Sequence, residues 1–229
     1  MVKQEKVKKA CQITDLAFTY ILPKIKLDIS EIKLAKEIEG FMKGSGAGIA
    51  FPTIVAFGDH TSSVHHPTGR RVLKGRGVFI MLDFGARYKN YCSDMTRTLF
   101  LGEASSKQKE IYKIVLKAQQ KALRYIKDQL KTGNQIKVAE VDMKARQYIL
   151  DKGFPTIPHS VGHGVGKKVH EKPKISYKSR EILKKGIPFT IEPGIYIKGF
   201  GGVRIEDVYV IEGNKVKQLT KSPKELIEI

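Results

Sequence analysis

Four carboxylates recur at matching places in two similar stretches of the sequence. The segments GVFIMLDFG and GIPFTIEPG each place a glycine six residues before an acid and another glycine two residues after it. A second apolar strand follows each segment and carries a second acid, in YCSDMTRT and in GVRIEDVYV. The four acids, in chain order, are Asp83, Asp94, Glu192 and Glu206. The pattern predicts two similar hairpins with one acid on each strand.

Carboxylates on strands as apolar as these are costly to bury unless their charge is compensated. Pairing with arginine is one solution, and it would join Asp94 to Arg97 and Glu206 to Arg204. A pair of divalent cations is another, because it converts the mutual repulsion of the four acids into binding energy. The symmetric placement of the acids favours the cations.

A histidine-rich segment, HSVGHGVGKKVH at residues 159–170, offers a nitrogen ligand for such a site. It holds three of the six histidines of the chain, together with three glycines, and no acid. Glycine is unfavourable in helices, so we expect a loop whose backbone can approach the site closely. Oxygen ligands combined with one imidazole suit Mn, Co, Fe or Zn, with Ca and Mg less well matched.

Hydrophobic periodicity and capping residues predict the elements that position these groups. Ser30 is the expected N-cap of the second helix, Ser105 or Ser106 that of the third, and Gly133 the end of the third. Helices are expected over 2–22, 30–44, 106–132 and 137–153. Strands are expected over 48–57, 187–197 and 201–220, with a hairpin over 78–100 that turns near Arg87 to Asn90. A helix pair precedes each acidic hairpin, which indicates one α+β domain made of two duplicated halves related by a pseudo-twofold axis.

Composition limits the remaining possibilities. The 229 residues are 41% apolar, which is enough for a substantial core, and no apolar run is long enough to span a membrane. Two cysteines are too few for a disulfide scaffold and favour a reducing cytoplasm. The net charge of +19 comes mostly from lysines spread along the chain, a pattern typical of solvated helix faces. Nucleic acid is therefore not the expected partner, although the charge keeps it as an alternative.

Four motifs together resemble the pita-bread metallopeptidases, a family of methionine aminopeptidases, aminopeptidase P, prolidases and creatinase-like proteins. They are LDFGARYKNYCSDMTRT, HSVGHGVGKKVHEKP, TIEPGIYI and GVRIED. The resemblance implies a curved antiparallel sheet flanked by the helix pairs, and a centre of two divalent metal ions. By match, the metal ligands would be Asp83, Asp94, His163, Glu192 and Glu206. The resemblance further implies that Asp83 holds one ion, that His163 and Glu192 hold the other, and that Asp94 and Glu206 bridge them.

The same resemblance implies roles for residues around the metals. Glu192 would also move the proton from water to the leaving nitrogen, while His170 and either His65 or His66 would stabilise the oxyanion. The motif match leaves the choice between His65 and His66 open. His159 and Arg204 are the expected substrate-binding positions, His159 as a wall of the proline pocket. Arg204 would also hold Glu206 or Asp94 in place.

His159 and the short interval between Glu192 and Glu206 resemble the proline-specific branch. The expected function is therefore metal-dependent hydrolysis of the N-terminal bond of Xaa-Pro peptides. We expect residues 1–229 to form a single catalytic domain without the creatinase-type N-terminal domain of the full-length relatives, and therefore to accept peptides longer than two residues. Methionine aminopeptidase and a non-catalytic module that binds nucleic acid or the ribosome are the alternatives. A peptide substrate, a homodimer and a cytoplasmic location complete the expectations.

Overall fold

The computed structural model describes residues 2–229, so Met1 of the expected domain lies outside the described residues. Four α-helices are present in this range: α1 (Val2–Ile21), α2 (Glu31–Gly44), α3 (Ser106–Thr132) and α4 (Val138–Asp151). Among these residues no helix combines the length and apolarity needed to cross a membrane.

Thirteen short strands accompany the helices within the same residues. The strands of the first half are β1 (Gly48–Ile49), β2 (Ile54–Phe57), β3 (Val78–Phe84), β4 (Ala86–Tyr88), β5 (Tyr91–Cys92) and β6 (Met95–Leu101). The strands of the second half are β7 (Gly162–Gly164), β8 (Glu171–Ile175), β9 (Phe189–Ile191), β10 (Gly194–Ile197), β11 (Gly201–Arg204), β12 (Asp207–Glu212) and β13 (Lys215–Gln218).

The expected duplication is visible in the strand pairing. In the first half, β3 pairs antiparallel with β6, and the chain between them forms the β4–β5 hairpin. In the second half, β9 pairs antiparallel with β12, and the chain between them forms the β10–β11 hairpin. The two main sheets have the strand orders β2-β3-β6 and β13-β12-β9-β7-β8. The α+β pita-bread fold expected from the sequence is confirmed.

Each helix pair packs on the sheet of its own half. Phe18 from α1 and Ile38 from α2 share a fully buried cluster with Leu82 of β3. Val115 from α3 and Ile149 from α4 belong to a second cluster that includes β9 and β12. Burial of these apolar side chains holds the helices outside the sheets and leaves the strand ends free to build a site.

The four helices begin and end within two residues of the positions expected from local sequence signals. Ser30 caps α2 by accepting from the Lys33 amide, and Ser105 forms a reciprocal capping box with Gln108 at the start of α3. Lys89 and Asn90 turn the β4–β5 hairpin with φ of 45° and 66°. The caps follow from local hydrogen bonding, and Asn90 suits the left-handed backbone of the turn, whereas lysine adopts it less readily.

Several expectations about strands were wrong. The strands expected over 187–197 and 201–220 are divided, the first into β9 and β10 and the second into β11, β12 and β13. The strand expected over 48–57 is two strands, β1 and β2, which belong to different sheets. Pro52 lies in the break, where it cannot donate a ladder hydrogen bond. The loop expected over 159–170 contains β7, which is hydrogen-bonded between β8 and β9. Gly162 and Gly164 permit this approach, since an added Cβ would clash with the carbonyl oxygen of Thr190 at the first position and of Lys172 at the second.

Candidate active site

The four acids identified from the sequence meet where the two halves join. Asp83 lies near the end of β3, and Asp94 lies just before β6. Glu192 directly follows β9, and Glu206 lies between β11 and β12. The Glu206 amide donates to the Thr96 carbonyl at 3.1 Å, which ties the second hairpin to the first. Strand pairing within each half and this contact between halves therefore bring all four carboxylates together.

The four acids and His163 form what we call the five-residue cluster. One ligand atom each from Asp83, Asp94 and Glu206 lie within 4.8 Å of one another, and the same holds for His163, Glu192 and Glu206. Glu206 belongs to both groups. The grouping has the form needed for two neighbouring cations with a shared carboxylate.

His163 is oriented to present one ring nitrogen to the acids. Its Nδ1 lies 3.1 Å from the Gly164 carbonyl oxygen, which can only accept, so this nitrogen carries the proton in the neutral ring. Its Nε2 lies 3.2 Å from Glu192 Oε1 and 3.5 Å from Asp94 Oδ2. A carbonyl that fixes the tautomer in this way leaves Nε2 available as a metal ligand.

Two carboxylate oxygens in the cluster fit a cation particularly well. Asp83 Oδ2 accepts from Arg204 at 2.6 Å, and Glu206 Oε2 accepts from the Thr96 hydroxyl at 2.7 Å. The second oxygen of each, Asp83 Oδ1 and Glu206 Oε1, is buried without a hydrogen-bond partner among the described residues. Buried polar atoms are rarely left unpaired, so the residues present fit a divalent metal.

The pKa values of the acids in the cluster also favour a bound cation. Burial, followed by the neighbouring carboxylates, raises the pKa of Asp94 and of Glu206 well above the ordinary range. Burial also raises the pKa of Asp83, although Arg204 opposes the shift. Glu192 differs: in the metal-free protein the hydrogen bond and the positive charge of a protonated His163 outweigh burial, and the pKa of Glu192 falls to about 2. Without a cation the protein cannot keep all four acids ionised cheaply.

The arginine pairs considered from the sequence do not form. Arg204 binds Asp83, not Glu206 or Asp94, because β11 packs against β3 and β6 and the guanidinium extends across to β3. Arg97 binds Asp207 at 2.6 Å and not Asp94. Arg204 therefore holds Asp83 and not Glu206 or Asp94; it is 2% exposed and belongs to the lining of the cavity above the five-residue cluster.

Three histidines besides His163 line the cavity above the five-residue cluster. They are His65, His159 and His170. The rings of His170 and His163 are nearly perpendicular, with centroids 4.4 Å apart. His66 does not line this cavity; it is buried, and its Nε2 lies 3.0 Å from Glu31 Oε2. The structure therefore separates the two adjacent histidines that the sequence left as alternatives.

Tyr196 is a site residue that the sequence reasoning missed. His159 Nδ1 lies 2.8 Å from the Ser160 carbonyl and must donate to it, so His159 Nε2 accepts from the Tyr196 hydroxyl at 2.8 Å. The hydroxyl in turn accepts from Arg204 at 3.0 Å. Both His159 nitrogens are thus engaged in hydrogen bonds. The ring therefore contributes a packing surface to the cavity and not an exchangeable proton. The sequence feature that could have identified Tyr196 was its position four residues after Glu192, in the motif TIEPGIYI.

Comparison with known proteins agrees with this geometry. Residues 5–213 match the model of metallopeptidase family M24. The chain is 42% identical over 233 residues to an Xaa-Pro dipeptidase of Pyrococcus horikoshii, covering 99% of this chain and 64% of the relative. The chain belongs to metallopeptidase family M24, whose members use divalent metal.

Two solved structures are similar in fold over nearly the whole chain. An Xaa-Pro dipeptidase from Bacillus anthracis superposes with a TM-score of 0.92 at 42% identity, covering 100% of this chain and 63% of that one. An X-Pro aminopeptidase from Thermotoga maritima gives a TM-score of 0.93 at 38% identity, with coverage of 99% and 63%. The chain therefore spans a little under two thirds of the length of these relatives.

Metal should stabilise this protein more strongly as the pH rises. Acids whose folded pKa is raised bind extra protons in the folded state, so the metal-free fold loses stability as the pH increases from about 4 through the raised values. Metal replaces those protons. At a hundred times Kd, one ion contributes about 2.7 kcal/mol, or roughly 5–10 °C in the melting midpoint.

The measurement is the melting midpoint at pH 5 and pH 8, with chelator and with Mn²⁺. We expect Mn²⁺ to raise the melting midpoint above that of the chelated protein by clearly more at pH 8 than at pH 5. Asp94→Asn is the control, because removing one of the acids should reduce the destabilisation of the chelated protein at pH 8. A difference that is equal or larger at pH 5 would contradict the charge account of the cluster.

Proposed function

We propose that this chain hydrolyses the N-terminal peptide bond of peptides whose second residue is proline. The observation that carries the proposal is the five-residue cluster with its two unpaired buried oxygens, placed in a cavity that three further histidines line. Relatives named as Xaa-Pro dipeptidase and X-Pro aminopeptidase support the substrate class.

The proposed cofactor is a pair of divalent ions of the Mn, Co, Zn or Fe type. Asp83 would hold one ion, and His163 with Glu192 the other, while Asp94 and Glu206 would be shared. The membership of Glu206 in both groups of the cluster supports this assignment. When bound, such ions lower the pKa of water toward neutrality and polarise a carbonyl oxygen.

The residues of the chain would then handle protons and charge. Glu192 is placed at the cavity, where its carboxylate can take a proton from water and return it to the proline nitrogen as that nitrogen leaves. His65 and His170 line the same cavity and would donate hydrogen bonds to the oxyanion that develops on the scissile carbonyl. His66, held on Glu31, is assigned no contact with the substrate.

The remaining side chains would shape the cavity. His159, with both nitrogens occupied, would pack its ring against the proline ring and would not exchange protons with the substrate. Arg204 would hold Asp83 and Tyr196 in place and not bind the substrate directly. Acceptance of peptides longer than two residues, a homodimer and a cytoplasmic location stay predictions.

A peptide panel tests the substrate class. With Mn²⁺ or Co²⁺ we expect kcat/KM for Ala-Pro or Ala-Pro-Ala-Ala to exceed that for Met-Ala-Ser at least a hundredfold, equivalent to about 2.7 kcal/mol. Asp94→Asn is the inactive control for contaminating peptidases. Preference for Met-Ala-Ser would identify a methionine aminopeptidase. No hydrolysis combined with salt-dependent RNA binding would favour the nucleic-acid module.

Metal analysis combined with kinetics tests the histidine roles. His65→Ala and His170→Ala should each lower kcat by 10²–10³, or about 2.7–4 kcal/mol, while the metal content stays unchanged. His163→Ala should lose one ion. The comparison is informative because a His170 ring nitrogen also lies within 4.8 Å of ligand atoms of Asp94 and His163. Loss of metal in His170→Ala would show that the two histidine roles are reversed.

A further inference from the structure

Glu31 forms a buried hydrogen-bonding centre outside the cavity. It is the first residue of α2 and is fully buried. Its Oε1 accepts from the Phe57 amide at 2.9 Å and lies 2.8 Å from His60 Nδ1. Its Oε2 accepts from the Gly69 amide at 3.1 Å and lies 3.0 Å from His66 Nε2. Four donors therefore converge on one carboxylate.

The Glu31 carboxyl stays ionised although it is buried. Burial alone raises the pKa of the carboxyl, but hydrogen bonds from His66, His60 and the two backbone amides outweigh burial and lower it. The position at the start of α2 adds the favourable dipole of a helix N-terminus. An ionised carboxylate accepts charge-assisted hydrogen bonds, which are roughly twice as strong as neutral ones.

The four donors come from the two ends of one segment, residues 58–69 with the Phe57 amide just before it, which we call the bridging loop. The middle of the bridging loop contacts the active site directly. The Thr61 hydroxyl accepts from the Gly202 amide at 2.8 Å, and the Val64 carbonyl accepts from Arg204 at 3.3 Å. His65, adjacent to His66, lines the cavity. Glu31 is thus the point at which both ends of the loop that carries His65 are fastened to α2.

We propose that Glu31 is a positioning residue for the reaction, acting through His66 and the bridging loop to hold His65 at the scissile carbonyl. The inference rests on the proposed function, since it assigns His65 its effect on the oxyanion. Its physical basis is the short connection: a shift of His66 is transmitted to His65 through a single peptide bond. A displacement of about 1 Å at a catalytic group can cost on the order of 10²-fold in rate.

A metal site explains the arrangement of Glu31, His60 and His66 less well than hydrogen bonding does. Two imidazoles and a carboxylate form a donor set that zinc accepts. A carboxylate, however, has about four acceptor positions, and all four on Glu31 already face donors. Glu31 differs in this from Asp83 and Glu206, each of which keeps an unpaired oxygen. The hydrogen-bonded centre is complete as it stands.

A double-mutant cycle on the metal-loaded protein tests the proposal. Glu31→Gln keeps the size of the side chain but removes the charge and places an amide group against two donors. We expect kcat on Ala-Pro to fall at least tenfold, with little change in KM or metal content. In a His65→Ala background the same substitution should change kcat less than twofold, because the group through which it acts is already absent.

Glu37→Gln is the matched control. It lies on the same helix and pairs with Lys24 and Tyr20, away from the bridging loop, so kcat should stay unchanged. Equal fold-losses for Glu31→Gln in both backgrounds would overturn the proposal in favour of a general structural role. Wild-type kcat in Glu31→Gln would overturn it outright. Absence of Xaa-Pro hydrolysis in the wild type would instead reject the proposed function.

A second pair of variants keeps the test decisive if Glu31→Gln fails to fold. His66→Gln retains a donor near the position of Nε2, whereas His66→Leu has a similar volume and no donor. His66→Gln should keep most of kcat, and His66→Leu should lose it. Trypsin cleavage after the exposed Arg70 and Arg71 should accelerate only in His66→Leu, as the loop is released. Equal kcat and equal cleavage in the two variants would contradict the proposal.

Discussion

Mutual repulsion among four buried carboxylates is the constraint on which the rest of this structure depends. Water would screen such a group at the surface, but here the acids lie at the junction of two sheets, and three of the four have pKa values raised by burial and by one another. Bringing these four charges together destabilises the fold unless a cation offsets them. The unpaired oxygens of Asp83 and Glu206 show where the protein leaves that compensation to a ligand.

The duplicated architecture explains how the acids can be held so close. Each half supplies a strand pair, β3–β6 or β9–β12, whose ends carry two of the acids, and each half is stiffened by its own helix pair. Further contacts fix individual oxygens: Arg204 on Asp83, and Thr96 on Glu206. Around this rigid floor the histidines come from less regular segments, and their positions depend on anchors such as Tyr196 and Glu31. The five-residue cluster is thus built on strands and their ends, whereas the other cavity histidines are carried by loops.

The sequence predicted what depends on local pattern. Helix ends at Ser30 and Gly133 follow from capping preferences. The repeated hairpin pattern identified the four acids, and the family resemblance identified His163 as the fifth member of the cluster. Partners across the fold were not predictable in the same way. The binding of Arg204 to Asp83 depends on how β11 packs against β3, and no spacing in the sequence encodes it. The split of the strand expected over 48–57 likewise depends on which sheet each half of it joins.

If cations offset the four carboxylates, the number of ions that the five-residue cluster binds is the decisive measurement. Chelator-treated protein would be titrated with Mn²⁺ in a calorimeter, and bound metal counted by elemental analysis. We expect a stoichiometry close to two per chain at saturation in the wild type, and loss of one ion with retention of the other in His163→Ala. Saturation of the wild type at one ion or fewer, or an unchanged stoichiometry in His163→Ala, would contradict this expectation.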